Sequence, residues 1–352
     1  GWKEDSSWKM TTGDFTDGTR VLDVNSDGQL DFIHHPSDSE TSSYINPSPY
    51  PELLKQIDNG VGASIEITYK SSSQYSNSGS DSQSDLSFPL YTVSQSQLSD
   101  GQGNSYTTSY SYKDGLFDFS EREFRGFGYC KVTDPQGNYS ESYFKQDSVY
   151  KGKPYKQETK DSGGNLYAKS ETTWSKKELY TGVNFAYISQ TDSYLYDGDS
   201  SYKQTRLTYE YDDYGNPTKV QSEGNVSESG DERTLTTEYN YNTSSWIVGL
   251  PKSVKLTDAN GEKVTQKWFY YDGADSYDTS ASQGLLTKEE VWLYNSQDAS
   301  EKKLSSQYSY DSYGNLTKAT NSKGYATTTE YDSTLHSYPT KVANSKGHTL
   351  TN

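Results

Sequence analysis

The stretch VLDVNSDGQLDFI at residues 21–33 sets oxygen-bearing side chains at Asp23, Asn25, Asp27 and Asp31, with Gly28 at the sharp turn and the Gln29 carbonyl between them. This D-x-N-x-D-G-x-x-D spacing wraps hard oxygens around one cation. Ca²⁺ accepts roughly six to eight of them flexibly, whereas Mg²⁺ demands a stricter octahedron. Calcium is the expected ion, in a structural role, because no base or nucleophile stands nearby. The competing reading is an ordinary metal-free turn built from Asp, Asn and Gly; the regular oxygen spacing favours the metal. An EF-hand is disfavoured, since His34 takes the twelfth position in place of a bidentate Glu and the flanks alternate like strands. His34 and His35 read as strand-end residues.

A second cluster, GLFDFSEREFRGFGY at residues 115–129, holds two of the five arginines beside acidic and aromatic residues. Arg122 and Arg125 with Phe124 and Phe127 would suit a carboxylate or carbohydrate pocket. The structural alternative pairs the arginines with neighbouring carboxylates, lets the phenylalanines anchor a sheet, and uses Gly126 and Gly128 for close strand approach. The structural alternative is favoured, because neither charged pair has an acid/base partner.

The elements that position these groups read as strands. In YEYDDYGNPTKV, residues 209–220, Tyr209 and Tyr211 share one strand face while Thr208 and Glu210 share the other. Gly215 and Asn216 tolerate the positive φ of a tight reversal, and Pro217 opens the next strand. The unit returns as YSYDSYGNLTKA at residues 308–319, with Tyr310, Gly314 and Asn315 in the same places. Aligned on the Tyr-Asp or Tyr-Asn step, Tyr211, Tyr241, Tyr271, Tyr310 and Tyr331 recur at intervals of 30, 30, 39 and 21 residues. Such recurrence marks stacked hairpins, each too small to stand alone. Upstream, Ala63, Ile65, Ile67 and Tyr69 form one apolar strand face, and residues 91–98 and 106–112 a hairpin. Residues 36–51, rich in Pro, read as a linker or long loop, and the Ser-rich residues 70–85 as a mobile loop.

Composition fits this. Apolar residues are only 30% of the 352, and 34 residues are Tyr, which suits a half-wetted sheet better than a deep core. A disordered chain would be poorer in aromatics. The net charge of −17 argues against nucleic acid, and the single cysteine, Cys130, excludes an intrachain disulfide. No apolar run long enough for a membrane span occurs. Nucleophile elbows, zinc and haem motifs, P-loops and dinucleotide fingerprints are all missing, so an enzyme is not expected.

The calcium stretch, with GDFTDG at residues 13–18 before it, resembles the loops of FG-GAP/VCBS propeller blades. EREFRGFG at 121–128, KVTDPQGN at 131–138, YFKQD at 143–147 and KGKPY at 151–155 resemble the middle region of SpvB-type, insecticidal toxin-complex B components. The units beyond about residue 200, including YDSTLHSYPTKV at 331–342, resemble Rhs/YD repeats. The resemblance implies an all-β fold of antiparallel hairpin repeats, a β-shell strip preceded by the end of a propeller-like segment. Its expected divisions are 1–50 (calcium loop and linker), 51–175 (toxin-complex B-type middle β domain) and 176–352 (YD hairpins). It also implies a secreted or cell-surface segment of a larger protein that walls off a C-terminal toxin polypeptide beside other toxin-complex subunits. The Rhs core signature with its self-cleaving aspartates is absent, as is a toxin domain. The alternative is an extracellular adhesin or self-assembling filament that binds glycans or sister subunits.

Overall fold

The computed structural model describes residues 18–37, 40–46, 50, 52–79, 84–196, 198, 200–293 and 302–351. Among them there are 23 strands, one 3₁₀ turn at Ser72–Gln74, and no α-helix. Every strand pairing resolved is antiparallel, as the alternating sequence predicts. The chain divides into two compact units, residues 1–176 with 193–202, and residues 177–192 with 203–352.

The first unit opens with a small sheet of β1 (Arg20–Leu22), β2 (Asp31–Ser37) and β3 (Glu40–Tyr44), in that order. Pairing therefore continues past residue 36, where a linker was expected. Phe32 faces Tyr44, and Ser37 faces Glu40 across a register shift that follows His34. Pro36 sits within this irregularity, where a missing N–H costs least. His34 lies mid-strand, not at a strand end; it is buried, with its Nδ1 3.1 Å from the Thr19 hydroxyl. Residues 13–17 and Pro47, Pro49 and Pro51 fall outside the described residues.

A separate meander follows: β4 (Gln56–Asp58), β5 (Ser64–Ser71), β6 (Tyr91–Ser99), β7 (Ser105–Asp118), β8 (Glu123–Thr133), β9 (Tyr139–Phe144) and β10 (Pro154–Lys160), each paired with its neighbour in sequence. β10 also pairs with β11 (Leu166–Tyr180). The Ser-rich segment expected to be mobile is packed in its described part. Ser71 and Ser72 are fully buried. Ser72 exchanges bonds with the Leu90 backbone, its N–H donating at 2.7 Å and its hydroxyl accepting at 2.8 Å. Asn77 accepts the Gly115 N–H at 2.9 Å and donates to the Ser72 carbonyl at 2.7 Å. Small polar side chains fill the space because each finds a main-chain partner, which composition does not reveal.

The second unit contains the far part of β11, most of β12 (Val183–Tyr196), and the meander from β13 (Tyr202–Tyr211) through β14 (Pro217–Asn225), β15 (Arg233–Asn242), β16 (Ile247–Thr257), β17 (Lys263–Tyr271), β18 (Leu286–Leu293), β19 (Lys302–Tyr310), β20 (Leu316–Thr320), β21 (Ala326–Tyr331) and β22 (Pro339–Ala343) to β23 (Thr349–Thr351). Each repeat tyrosine stands at or next to the C-terminal end of an odd-numbered strand, β13 to β21. Pro217 and Pro339 open their strands and Pro251 lies within β16, each at a register shift opposite a tyrosine.

Neither unit holds a broad aliphatic core. The buried apolar residues among those described are Leu86, Tyr129, Trp268, Tyr270, Tyr271 and Ala281. The sheet faces are instead aromatic rings interleaved with lysine and glutamate. Lys288 lies 3.6 Å over Tyr270, Lys303 3.9 Å over Trp268 and Lys156 4.0 Å over Tyr143. The same lysines reach Glu290 and Glu158 at 3.1–3.3 Å. Lysine stems thus cover rings while their ammonium groups stay paired and near water, which lets a polar chain build wide sheets.

Candidate functional site

The repeat unit is organised by its aspartate. Asp212 Oδ1 accepts the N–H groups of Tyr214 (2.9 Å) and Asn216 (2.8 Å), while Oδ2 accepts the Asn216 amide at 2.8 Å. Asp311 holds Tyr313 and Asn315 at 2.9, 2.9 and 3.0 Å in the same pattern. Asp134 with Asn138 and Asp161 with Asn165 repeat the clamp in the first unit. A carboxylate that accepts several donors is stabilised in its charged form. Asp134, Asp161 and Asp311 accordingly lie below the usual carboxylate range, led by the asparagine side-chain bond. The aspartate was visible in sequence as D-x-x-G-N, but reading the turn from Gly215 and Asn216 alone missed its role.

A second device locks strand to strand. The hydroxyls of Tyr239, Tyr271, Tyr310 and Tyr331 donate to the carbonyls of Pro217, Pro251, Leu286 and Leu316 at 3.2, 2.9, 2.8 and 3.2 Å. Each bond joins the C-terminal part of an odd strand to the strand before it, at that strand's first residue for Pro217, Leu286 and Leu316 and within β16 for Pro251. Tyr211 is half-buried and packs against Tyr187 and Tyr209. Burial pushes the Tyr271 hydroxyl up to about 12.

Asp272 anchors a larger loop. It accepts N–H bonds from Ser282, Gln283, Gly284 and Leu285 at 2.6–3.2 Å. Burial raises its pKa, yet the four amides prevail and hold it at about 2. The loop so fixed lies across β15, where Asn240 donates to the Thr279 carbonyl at 2.6 Å and accepts the Ala281 N–H at 2.8 Å.

The arginine cluster turns inward. Arg125, its side chain 6% exposed, pairs with Asp118 at 2.6 Å and Glu121 at 3.3 Å. It also donates to the Gln146 carbonyl at 3.0 Å. Gln146 in turn donates to the carbonyls of Asp114 and Gly126 at 2.7 and 2.9 Å. A Cβ on Gly128 would stand 2.9 Å from Gln146 Oε1, while Gly126 faces open space at φ +85°. Phe124 and Phe127 meet edge to face at 5.7 Å. Arg122 sits in the turn before β8 with φ +54°. The guanidinium of Arg125 is thus committed to the fold, and the arrangement ties β7, β8 and the segment after β9 together.

In the calcium-type stretch, Asp23 accepts the N–H groups of Asp27 (3.0 Å) and Gly28 (2.8 Å), and Asn25 Oδ1 accepts Asp27 N–H at 3.0 Å. Asp27 accepts the Gln29 N–H at 2.7 Å. Asp31 is fully buried, with both oxygens taken by the N–H groups of Val24 and Asn46 at 2.9 and 2.7 Å. The loop docks on the meander through the Tyr91 hydroxyl, 3.0 Å from the Gly28 carbonyl, and the Ser73 hydroxyl, 2.7 Å from the Ser26 carbonyl. Among the described residues no three His, Cys, Asp or Glu side chains are grouped as a metal cluster.

Residues 4–158 match the family model of the insecticide toxin TcdB middle/N-terminal region, a span that includes the calcium-type stretch and the arginine cluster. Over those residues the chain resembles the toxin-complex B middle region. The fold of the chain agrees with that of TcdB2-TccC3 without its hypervariable C-terminal region, at TM-score 0.70 and 15% identity, over 96% of this chain and 25% of that one. TcdB2-TccC3 itself gives 0.66 and 15%, over 96% and 26%. The Photorhabdus luminescens Tc holotoxin pore gives 0.68 and 15%, over 95% and 25%. The chain thus spans about a quarter of the length of these solved chains. No curated protein sequence matches it. The resemblance first read from residues 121–155 is the one these comparisons return.

Proposed function

We propose that this chain is a non-catalytic wall segment of a secreted Rhs-type shell that encloses a toxin polypeptide carried by the remainder of a larger protein. The observation that carries the reading is the chain of tyrosine locks: hairpin after hairpin is bonded to its predecessor, so that strand edges are consumed by the next strand. Likeness in fold to TcdB2-TccC3 across nearly the whole chain supports it. The test is to express the full gene product, image it by negative stain, and expose it to protease. A hollow body whose C-terminal polypeptide survives digestion until the shell is denatured is expected; a fibre, or a polypeptide cleaved as fast as in isolation, sinks the reading. The filament alternative draws on the exposed Tyr313, Tyr325, Leu335 and Tyr338 of the last hairpins, and the same images decide it.

The calcium role belongs to this proposal. Asp23, Asn25, Asp27, Asp31 and the Gln29 carbonyl supply the oxygen donors that suit a hard cation, and each carboxylate oxygen keeps a lone pair beyond the N–H it accepts. Ca²⁺ would there stiffen the docked loop. Terbium luminescence sensitised by Tyr91, displaced by Ca²⁺ and lost in Asp23→Ala, is expected. Superimposable melts with Ca²⁺ and with chelator, together with no terbium signal, would leave the loop as a metal-free turn.

A further inference from the structure

Trp246 occupies a position that sister hairpins give to glycine. In the turn between β15 and β16 its N–H donates to the Thr243 carbonyl at 3.3 Å. Gly137, Gly164, Gly215, Gly261 and Gly314 make the same bond to the residue three before them. The Trp246 φ is +54°, a left-handed backbone that crowds any Cβ against the next carbonyl. Burial offers no compensation, since the residue is 73% exposed. A bulky ring held in a disfavoured backbone and presented to solvent is the kind of outlier that points to recognition.

The ring has company. It meets Tyr214 edge-on at 6.2 Å, and Tyr214 packs against Tyr241 at 5.4 Å. Trp246, Tyr214, Tyr180 and Leu179 line a cleft of about 590 Å³ together with Lys177, Glu178 and Asp213. Tyr180 is 77% exposed. Lys177 and Asp213 form an ion pair open to solvent. All of these residues belong to the second unit.

We propose that this cleft binds a neutral saccharide. Exposed aromatic rings offer flat, electron-rich apolar faces that match the C–H face of a pyranose. Lys177 supplies ammonium donors, and Glu178 and Asp213 supply acceptors, the complement of a ring of hydroxyls that both donate and accept. One lysine against two carboxylates leaves the cleft net negative, which disfavours an anionic sugar or a phosphate. A wholly apolar ligand would strip water from the ion pair and give nothing back. The volume lies in the usual range of small-molecule sites. None of this depends on the shell reading, so either can fail alone.

The test titrates the whole chain with lactose, maltose and chitobiose, read by saturation-transfer NMR and tryptophan emission. The decisive variant is Trp246→Gly, which installs the residue its sister turns use and should leave the melting temperature unchanged or raised. Saturable binding of at least one sugar, weakened about tenfold or more in Trp246→Gly by loss of the stacked ring, is expected. Tyr180→Ala, at an exposed position, should weaken the same sugar if the glycine variant folds poorly. Absence of saturation by all three sugars overturns the proposal, as does full affinity in both variants. Capture of an unstructured casein peptide in place of sugar, abolished by Trp246→Gly, overturns the saccharide as occupant.

Discussion

The Tyr241 hydroxyl donates to Asp212 Oδ2 at 2.7 Å, across 29 residues of sequence, so the tyrosine of one repeat completes the turn clamp of the one before it. Burial and this bond both raise the Tyr241 pKa. Burial pushes Asp212 the other way from its bonds, yet the donors Tyr241 and Asn216 prevail and hold it low. Tyr241→Phe removes the donor alone. A loss of about 1 kcal/mol in urea unfolding is expected for a part-exposed bond to a charged acceptor. An unchanged midpoint at an unchanged slope would show that the repeats are not coupled through this pair.

Asp272 gives the chain an acid-sensitive loop. Its folded pKa of about 2 lies below the unfolded carboxylate value, so its contribution is present above the unfolded pKa of about 3.9 and fades as pH falls through the folded one. Asp272→Asn should cost roughly 1 kcal/mol at neutral pH once solvent screening is allowed for. That gap should narrow steadily between about pH 4 and about pH 2. A gap of constant size over the whole window would assign the loss to shape and not to charge.

Gly215 and Gly314 separate backbone strain from crowding. Their φ values are +87° and +85°, but a Cβ at Gly215 would stand 2.9 Å from the Phe185 ring, while at Gly314 the nearest atom is 4.0 Å away on Leu285. Alanine at Gly314 should cost about 1 kcal/mol for the left-handed backbone. At Gly215 it should cost about 1–3 kcal/mol more, because the ring must move. Equal losses in thermal or urea melts would mean that Phe185 yields freely.

Arg125 is expected to be structural. Arg125→Ala removes a buried side chain and its bonds to Asp118, Glu121 and the Gln146 carbonyl, so about 2 kcal/mol should be lost, the two carboxylates being left in reach of water. Arg125→Lys should recover only part, since an ammonium cannot serve three acceptors in the plane of a guanidinium fork. Full recovery by lysine would show that charge alone suffices.

The local grammar was legible and the long-range contacts were not. The unit at residues 209–220 reads directly as strand, turn and strand, and its structure is β13, the Asp212 turn and β14. Fold class followed from such units. Residues 36–44 and 70–79 misled, for one reason: Pro, Ser and Thr read as loop when judged by neighbours in sequence. Here Pro36 is sheltered by a register shift, and Ser72 is held by Leu90, eighteen residues away. In the arginine cluster, residue types suggested pairing, but only the structure supplied Asp118 and Gln146 as partners.

What the sequence determined by itself is whatever acts within one turn: the positive-φ positions, the aspartate clamps reaching four residues on, and the alternation that makes one strand face aromatic. These depend on chain geometry and survive in any context. Tertiary structure alone decided which polar residues are buried and which aromatics are left outside. Asn240 meets Ala281 across 41 residues, while Trp246, six residues along, stays in solvent. Burial is a property of what packs against a side chain, and that partner is chosen by the fold and not by the neighbouring residues.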